Sequence, residues 1–279
     1  MGVTGMLGHN LFRYFNLLED FEVLGTLRNS AAYDNFPEEQ SKNLFYIENV
    51  NQELLLNKLV DNYMPDVLIN CIGLVKQILD VNDPINTIQI NSLLPHRLYQ
   101  ICNQRDIRLI HISTDCVFSG TKGDYKEIDV PDALDLYGRS KMLGEQNNHN
   151  SLTIRTSIIG HELSNSHSLL EWFLNQKNEV YGYKNAIFSG FPTIEISKII
   201  EKIIIPNKNL SGIYHISSQP ISKYKLLKLI AEIYEKKIKI IPDTSVNINR
   251  SLNSDKFSTE TGFYPEDWIN LIKNMHNFG

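Results

Sequence analysis

At 279 residues the chain is long enough for one large α/β domain, or for a nucleotide domain with a smaller lobe. Hydrophobic residues make up 42% and charged residues 21%, the balance of an ordinary globular protein. A formal charge of −5 argues against nucleic acid as a partner, which needs a basic stripe, and no apolar run approaches the roughly 18 residues of a membrane helix.

The chain opens on Gly2-Val3-Thr4-Gly5-Met6-Leu7-Gly8, a GxxGxxG run leading into helical spacing from Leu7 to Leu18. Glycines there permit a tight turn and close approach of backbone to a pyrophosphate, while the helix N-terminus offers N–H donors and positive dipole. A dinucleotide fold of this type carries a strand immediately before the glycine loop, and here Met1 directly precedes Gly2. The expectation is that the first, central strand is missing, and that the chain as given is a shortened form, marginally stable and poor at binding NADPH.

Strands are expected at Phe21 to Leu27, Leu44 to Ile47, Asp66 to Cys71, Arg108 to Ile112 and Leu152 to Arg155. Helical spacing covers Gln52 to Tyr63, Ile85 to Asn103 and Tyr137 to Gln146 between them. Short apolar strands alternating with helices predict a Rossmann-like, doubly wound parallel sheet covered on both faces. Beyond Ser157 the pattern changes. Helices are expected at Ser168 to Gln176, Glu195 to Ile205, Lys223 to Glu235 and Pro265 to Met275, one strand at Gly212 to Ser217, and turns over Asn249 to Lys256. This suggests an NAD(P)-binding domain over residues 1–156 and a smaller α/β substrate lobe over 157–279, with some elements of 185–218 returning to the main sheet.

Several side chains along this path are candidates for chemistry. Leu27-Arg28-Asn29 stands at a strand end where a carboxylate usually holds a free ribose 2′-hydroxyl. A guanidinium matches a 2′-phosphate instead, so Arg28 favours NADPH over NADH. Asn49 and Val50 are placed to meet the adenine edge, Cys71-Ile72-Gly73 to let backbone lie along the cofactor, and Asn91 to organise a proton-relay water. Tyr137 and Lys141, four apart on a helix, project from one face. There an ammonium lowers a phenol pKa from about 10 and holds sugar hydroxyls, and Thr114 from a nearby strand end adds a hydrogen bond to a carbonyl oxygen. His111 lies inside an apolar strand and reads as a satisfied core histidine. His96, His161, His167 and His215 have no partner spacing, Glu162 and Glu171 read as solvated charges, and Cys71, Cys102 and Cys116 as free thiols in a reducing compartment, hence the cytoplasm.

At these residues the chain resembles the extended short-chain dehydrogenase/reductase family, in particular its dTDP-4-dehydrorhamnose reductase branch. The likeness runs through GVTGMLG, NCIG, ISTDCVFSG, YGRSK with Gly144-Glu145, IRTS, Gly190-Phe191-Pro192-Thr193, GIYHIS and Asn249-Arg250-Ser251. STDxVFxG and YGxxKxxGE together are more specific than Rossmann glycines or YxxxK alone. The resemblance implies Thr114, Tyr137 and Lys141 as catalytic. It places Gly2, Gly5, Met6, Leu7, Gly8, Arg28, Asn49, Val50, Cys71, Ile72, Gly73 and Asn91, with Tyr137 and Lys141, around NADPH, NADH being the other option. A nucleotide sugar would lie against Asp115, Cys116, Val117, Phe118 and Arg250. The implied reaction is reduction of the C4 keto group of a nucleotide-linked 6-deoxy-4-ketohexose, in deoxysugar and surface polysaccharide biosynthesis. No protein metal site is implied, and a Mg²⁺ requirement and a homodimer stay open.

Three departures stand out. Asn49 stands where the family commonly has Asp, Cys116 replaces an aromatic, and Ser119 replaces the Asp before Gly120. The alternatives are a sugar-nucleotide 4-epimerase of the same fold and a non-catalytic NADP-binding regulatory subunit, like that of methionine adenosyltransferase. A 4,6-dehydratase is disfavoured, because Asp115-Cys116 lacks the glutamate that would remove the C5 proton.

Overall fold

The computed structural model describes residues 1–75, 83–163 and 168–279; His167 lies outside them. Two short parallel strands, β1 (Gly25–Leu27) and β2 (Leu44–Tyr46), pair with each other. A second parallel sheet has the order β3 (Val67–Asn70), β4 (Arg108–Thr114), β5 (Ser151–Thr156) and, skipping three short or distant strands, β9 (Gly212–His215). Residues 1–3 join the two sheets. Gly2 and Val3 N–H groups donate to the Thr26 carbonyl at 3.2 and 3.0 Å. On the other side the Met1 amino group donates to the Ile69 carbonyl at 2.6 Å, and the Cys71 N–H donates to the Met1 carbonyl at 3.2 Å. Residues 1–3 thus take the position of the central strand in a doubly wound sheet, between β1 and β3. Burial there pulls the Met1 amine below its ordinary pKa.

The sheet is covered on both faces because its strands are apolar on both. On β4, Ile110 packs into a large cluster with Leu7, Leu11 and Phe15 of the first helix (Met6–Phe15), while Leu109 packs with Leu56, Val60, Leu94 and Leu98 on the opposite face. That alternation is the two-residue period of a strand. The helix on the second face runs Pro84–Ile88, widens into a π turn at Gln89–Leu93, and continues as Leu94–Asn103. Pro95, having no N–H to donate one turn back, is a local reason for that wide turn.

The C-terminal half is woven into the first half. Strand β9 extends β5, and the helix Thr193–Ile199 packs on the first helix, where Ser197 donates to Asn10 Oδ1 at 2.9 Å. Between them β6 (Ile158–Ile159) pairs with β8 (Phe191–Pro192). Two long strands in this half were not among the expected elements. In the third sheet β7 (Glu179–Phe188) is central, flanked by β10 (Ile221–Ser222) and β11 (Lys239–Asn249). Pro242, Asp243, Ser245 and Asn247 make β11 read as a loop. Pairing with β7 on one side, with a register shift between Asp243 and Asn247, overrides that local preference at a sheet edge, where proline is tolerated. The stretch expected as turns also holds the start of a helix, Asp255–Thr261.

Candidate active site

Several of the proposed site residues follow the carboxyl ends of parallel strands, where doubly wound sheets take ligands: Arg28 after β1, Asn49 and Val50 after β2, Cys71 to Gly73 after β3, and Asp115 to Phe118 after β4. The glycine loop is at the centre. Gly2 has φ +81°, a left-handed conformation that side chains rarely adopt, and a Cβ on Gly8 would lie 2.1 Å from the Gly2 carbonyl oxygen. Those two glycines are required by the fold itself. Gly5 is not, since a Cβ there would have the Gly2 oxygen at 3.5 Å as its nearest neighbour. Gly5 is also the N-cap of the first helix and supplies no side-chain cap, which leaves first-turn N–H groups facing the crevice. Met6 is half-buried, and Leu7 is committed to the core, so Leu7 offers a ligand its backbone and not its side chain.

Arg28 follows β1 and is exposed, with no ion pair among the described residues. Asn49 is also exposed, but its Oδ1 accepts from the Asn51 N–H at 2.9 Å, an Asx turn that orients the β2 exit, while Val50 packs under it. At the β3 exit Asn70 Oδ1 accepts from the Ile72 N–H at 3.1 Å, which shapes the Cys71-Ile72-Gly73 turn against Gly2. The Cys71 thiol is pushed up by burial. A Cβ on Gly73 would have Asn91 Oδ1 at 3.5 Å and Lys141 Nζ at 3.7 Å, so the glycine-rich turns and the lysine converge.

Asn91 lies in the π turn and is buried, not on a solvated face. Its amide accepts from the Leu74 N–H at 2.9 Å and donates to the Leu74 carbonyl and to Ser140 Oγ, both at 3.1 Å. It clamps the β3 exit to the helix Leu136–Leu143 that carries Tyr137 and Lys141. Tyr137 is half-buried and hydrogen-bonds Thr114. The expectation that Lys141 depresses the Tyr137 pKa is not met. Burial pushes the phenol well above its ordinary range, with Cys116, Asp115 and Asp135 adding to the rise and Thr114 opposing it. The Lys141 ammonium instead donates to the Ile112 carbonyl at 2.6 Å, and burial pulls it down to about 8 against the opposing pull of Glu145 and Cys71.

On the substrate side Thr114 Oγ1 accepts from the Cys116 N–H at 3.1 Å and donates to Asp115 Oδ1 at 3.2 Å. Asp115 is buried and pushed up by that burial, with Arg250 and Lys223 pulling the other way. The Cys116 thiol is held up at about 12 by burial and by Asp115. Val117 and Phe118, expected against the sugar, can offer a ligand backbone only. Both side chains are fully buried, and Phe118 stacks on Tyr125 with centroids 4.2 Å apart. Arg250 Nε donates to the Phe118 carbonyl at 2.8 Å, which fixes the guanidinium beside Asp115 and Asp132. Ser119 binds Asp132 twice, at 2.6 Å through N–H and 2.6 Å through Oγ, so a carboxylate stands at this corner despite the serine.

The sequence reading missed a buried group beneath the site. Glu145 takes Arg155 in a two-pronged ion pair at 2.8 and 2.6 Å and accepts from Ser113 Oγ at 2.7 Å. Arg155 also meets His215 Nε2 at 3.2 Å. The available signals were a lone arginine inside the apolar stretch LTIRTS and an acid four residues after Lys141. His111, expected to be satisfied, has Asn70 at Nδ1 at 3.1 Å and no partner at Nε2 among the described residues. His161, which shows no partner spacing in the sequence, and Glu171, read as a solvated charge, bond each other at 2.7 Å. Among the described residues no cluster of histidine, cysteine and acidic groups is arranged to hold a metal, and no helix is long and apolar enough to cross a membrane.

Comparison with known proteins places this arrangement. The chain is 25% identical over 253 residues to the dTDP-4-dehydrorhamnose reductase of Aggregatibacter actinomycetemcomitans, covering 82% of this chain and 86% of that one. It is 24% identical over 247 residues to methionine adenosyltransferase 2 subunit beta of Xenopus laevis, covering 84% of this chain and 70% of that one. A solved dTDP-4-dehydrorhamnose reductase of Bacillus anthracis str. Ames, in complex with NADP, has a TM-score of 0.78 at 17% identity, with 100% of this chain and 97% of that one covered; this likeness is one of fold. The RmlD substrate binding domain family matches residues 1–277, nearly end to end. With that match over a doubly wound parallel sheet, the chain belongs to the RmlD substrate binding domain family, within the extended short-chain dehydrogenases/reductases.

Proposed function

We propose that this chain is an NADPH-dependent reductase of the C4 keto group of a nucleotide-linked 6-deoxy-4-ketohexose. The observation that carries this reading is the convergence of Thr114, Tyr137 and Lys141 with the glycine loop at one strand-end crevice. The residues fit a pyridine dinucleotide: open room at Gly5, an uncapped helix N-terminus for the pyrophosphate, and exposed Arg28 for a 2′-phosphate. When bound, the nicotinamide supplies the hydride. Tyr137, held protonated by burial, is the proton donor at its phenolic oxygen toward the C4 oxygen. The adjacent Thr114 hydroxyl turns from Asp115 to donate to the same oxygen as negative charge grows there. Lys141, on the same helix, supplies a donor for ribose hydroxyls, and Arg250 with Asp115 orients the sugar nucleotide.

The test is NADPH oxidation with a panel of dTDP- and UDP-linked 4-keto sugars, with products identified by mass spectrometry. Stoichiometric reduction of one of them to the 4-hydroxy sugar supports the reading. A second reading, a non-catalytic NADP-binding regulatory subunit, is favoured by the similarity to methionine adenosyltransferase 2 subunit beta. NADPH binding without turnover of any sugar in the panel would select it.

A further inference from the structure

We propose that Glu145 is a positioning residue for Lys141: a carboxylate fixed by Arg155 and Ser113 that sets the helix of Tyr137 and Lys141 against the end of β4. Three consecutive residues of β4 are each gripped from this segment. Thr114 lies beside Tyr137, Ser113 Oγ donates to Glu145 at 2.7 Å, and the Ile112 carbonyl accepts from Lys141 at 2.6 Å. Glu145 is therefore the third point that fixes the register between helix and strand. Its side chain is 5% exposed and that of Arg155 is 3% exposed, and Phe118 lies 5.2 Å from the guanidinium, so the pair is sealed from water.

A buried ion pair contributes little net stability compared with an apolar pair of similar shape, because both charges lose their hydration. A fixed carboxylate can do something an apolar side chain cannot, which is to favour the charged form of a neighbouring amine. The titratable groups facing Lys141 are Glu145 from its own segment, Cys71 from the β3 exit and His111 on β4, with the Met1 amine beyond Cys71. Of the two groups that oppose the fall of the Lys141 pKa, Glu145 has the larger influence, ahead of Cys71, whose own thiol is pushed up by burial. Burial lowers the Lys141 pKa and Glu145 opposes that fall. Removing Glu145 therefore lowers it further, and the ammonium is lost at a lower pH.

The inference rests on the role given to Lys141 above, and its test reads Lys141 itself, without cofactor or sugar. The full chain is labelled with ¹³C-lysine, the Lys141 resonance is identified as the one missing from Lys141→Arg, and it is titrated through alkaline pH. The wild-type midpoint is expected near 8. Glu145→Gln should lower it by about one unit. The double variant Glu145→Gln/Arg155→Met removes both buried charges and leaves no arginine unpaired; it should lower the midpoint in the same direction but by less, because loss of the Arg155 charge offsets part of the change. The upper limit of the pH range for NADPH binding should move with it. An unchanged Lys141 midpoint in either folded variant, whatever its melting temperature, overturns the proposal and leaves the pair a purely structural tie. A lowered midpoint without NADPH binding at any pH upholds the positioning role and counts against the reductase reading instead.

Discussion

At the scale of single residues, desolvation sets the chemistry. Tyr137 is held as a neutral phenol and Lys141 is drawn down to about 8, so acid and ammonium are both poised by burial before any ligand is considered. Tyr137→Phe keeps the ring and loses the proton. It should reduce kcat for the keto sugar by about 10² to 10⁴ while the NADPH dissociation constant stays within a few-fold, measured by steady-state kinetics and fluorescence titration. Arg28→Ala should weaken NADPH binding by about ten-fold or more and leave NADH nearly unchanged, because only NADPH carries the 2′-phosphate. Equal losses for the two cofactors in the same titration would remove Arg28 from the site. Individual residues were unevenly legible. Tyr137 and Lys141 could be found because helical spacing fixes which side chains share a face. Val117 and Phe118 could not be excluded, because the turn Asp115–Val117 that directs them inward is set by Thr114 accepting from Cys116, a contact no periodicity reveals.

At the scale of elements, the glycine loop separates the demands of folding from those of binding. Gly8→Ala forces a methyl against the Gly2 carbonyl and should destabilise the protein by about 1–3 kcal/mol, seen as a lower urea midpoint. Gly5→Ala has room within the protein and should leave the midpoint unchanged, yet weaken NADPH binding by about ten-fold or more, since the added methyl projects into the helix N-terminus. If Gly5→Ala binds NADPH like wild type, the pyrophosphate is not at this loop. The parallel strands were legible as short apolar runs because both their faces are buried. Strands β7 and β11 were not, because their sequences carry glycine, proline, asparagine and aspartate, and it is pairing along nearly their whole length that makes them extended.

At the scale of the whole molecule, the two halves share one hydrophobic cluster, from Leu7 and Ile154 through Ile196 to Met275, and buried polar groups tie into it. Two fully buried histidines make the fold sensitive to acid. His215 is lowered to about 3 by burial, then by Arg155, and His111 is lowered well below its ordinary value by burial. Between the unfolded value of about 6.5 and these lower values, the unfolded chain takes up protons that the folded chain refuses. Stability is therefore fully present above about pH 6.5 and falls as the pH drops, by about 1.4 kcal/mol per unit for each histidine. Urea unfolding at a series of pH values from 7 to about 5 should show this slope, and His215→Gln should reduce it by roughly one histidine's share. A slope unchanged in that variant would mean His215 titrates normally in the folded protein.

Taken by itself, the sequence determined the class of fold, the crevice end of the sheet and the order of its motifs. Those follow from local rules: apolar runs of strand length, glycines where backbone must turn, and helical spacing between Tyr137 and Lys141. Only the tertiary structure decided what surrounds each group. It placed residues 1–3 between β1 and β3, made Asn91 a buried clamp between the β3 exit and the helix of Tyr137, and stacked Phe118 on Tyr125 in the interior. It also brought Glu145 and Arg155 together in a buried ion pair. Burial and long-range pairing set pKa values and strand extension, and both depend on residues far apart in the chain that no local pattern encodes.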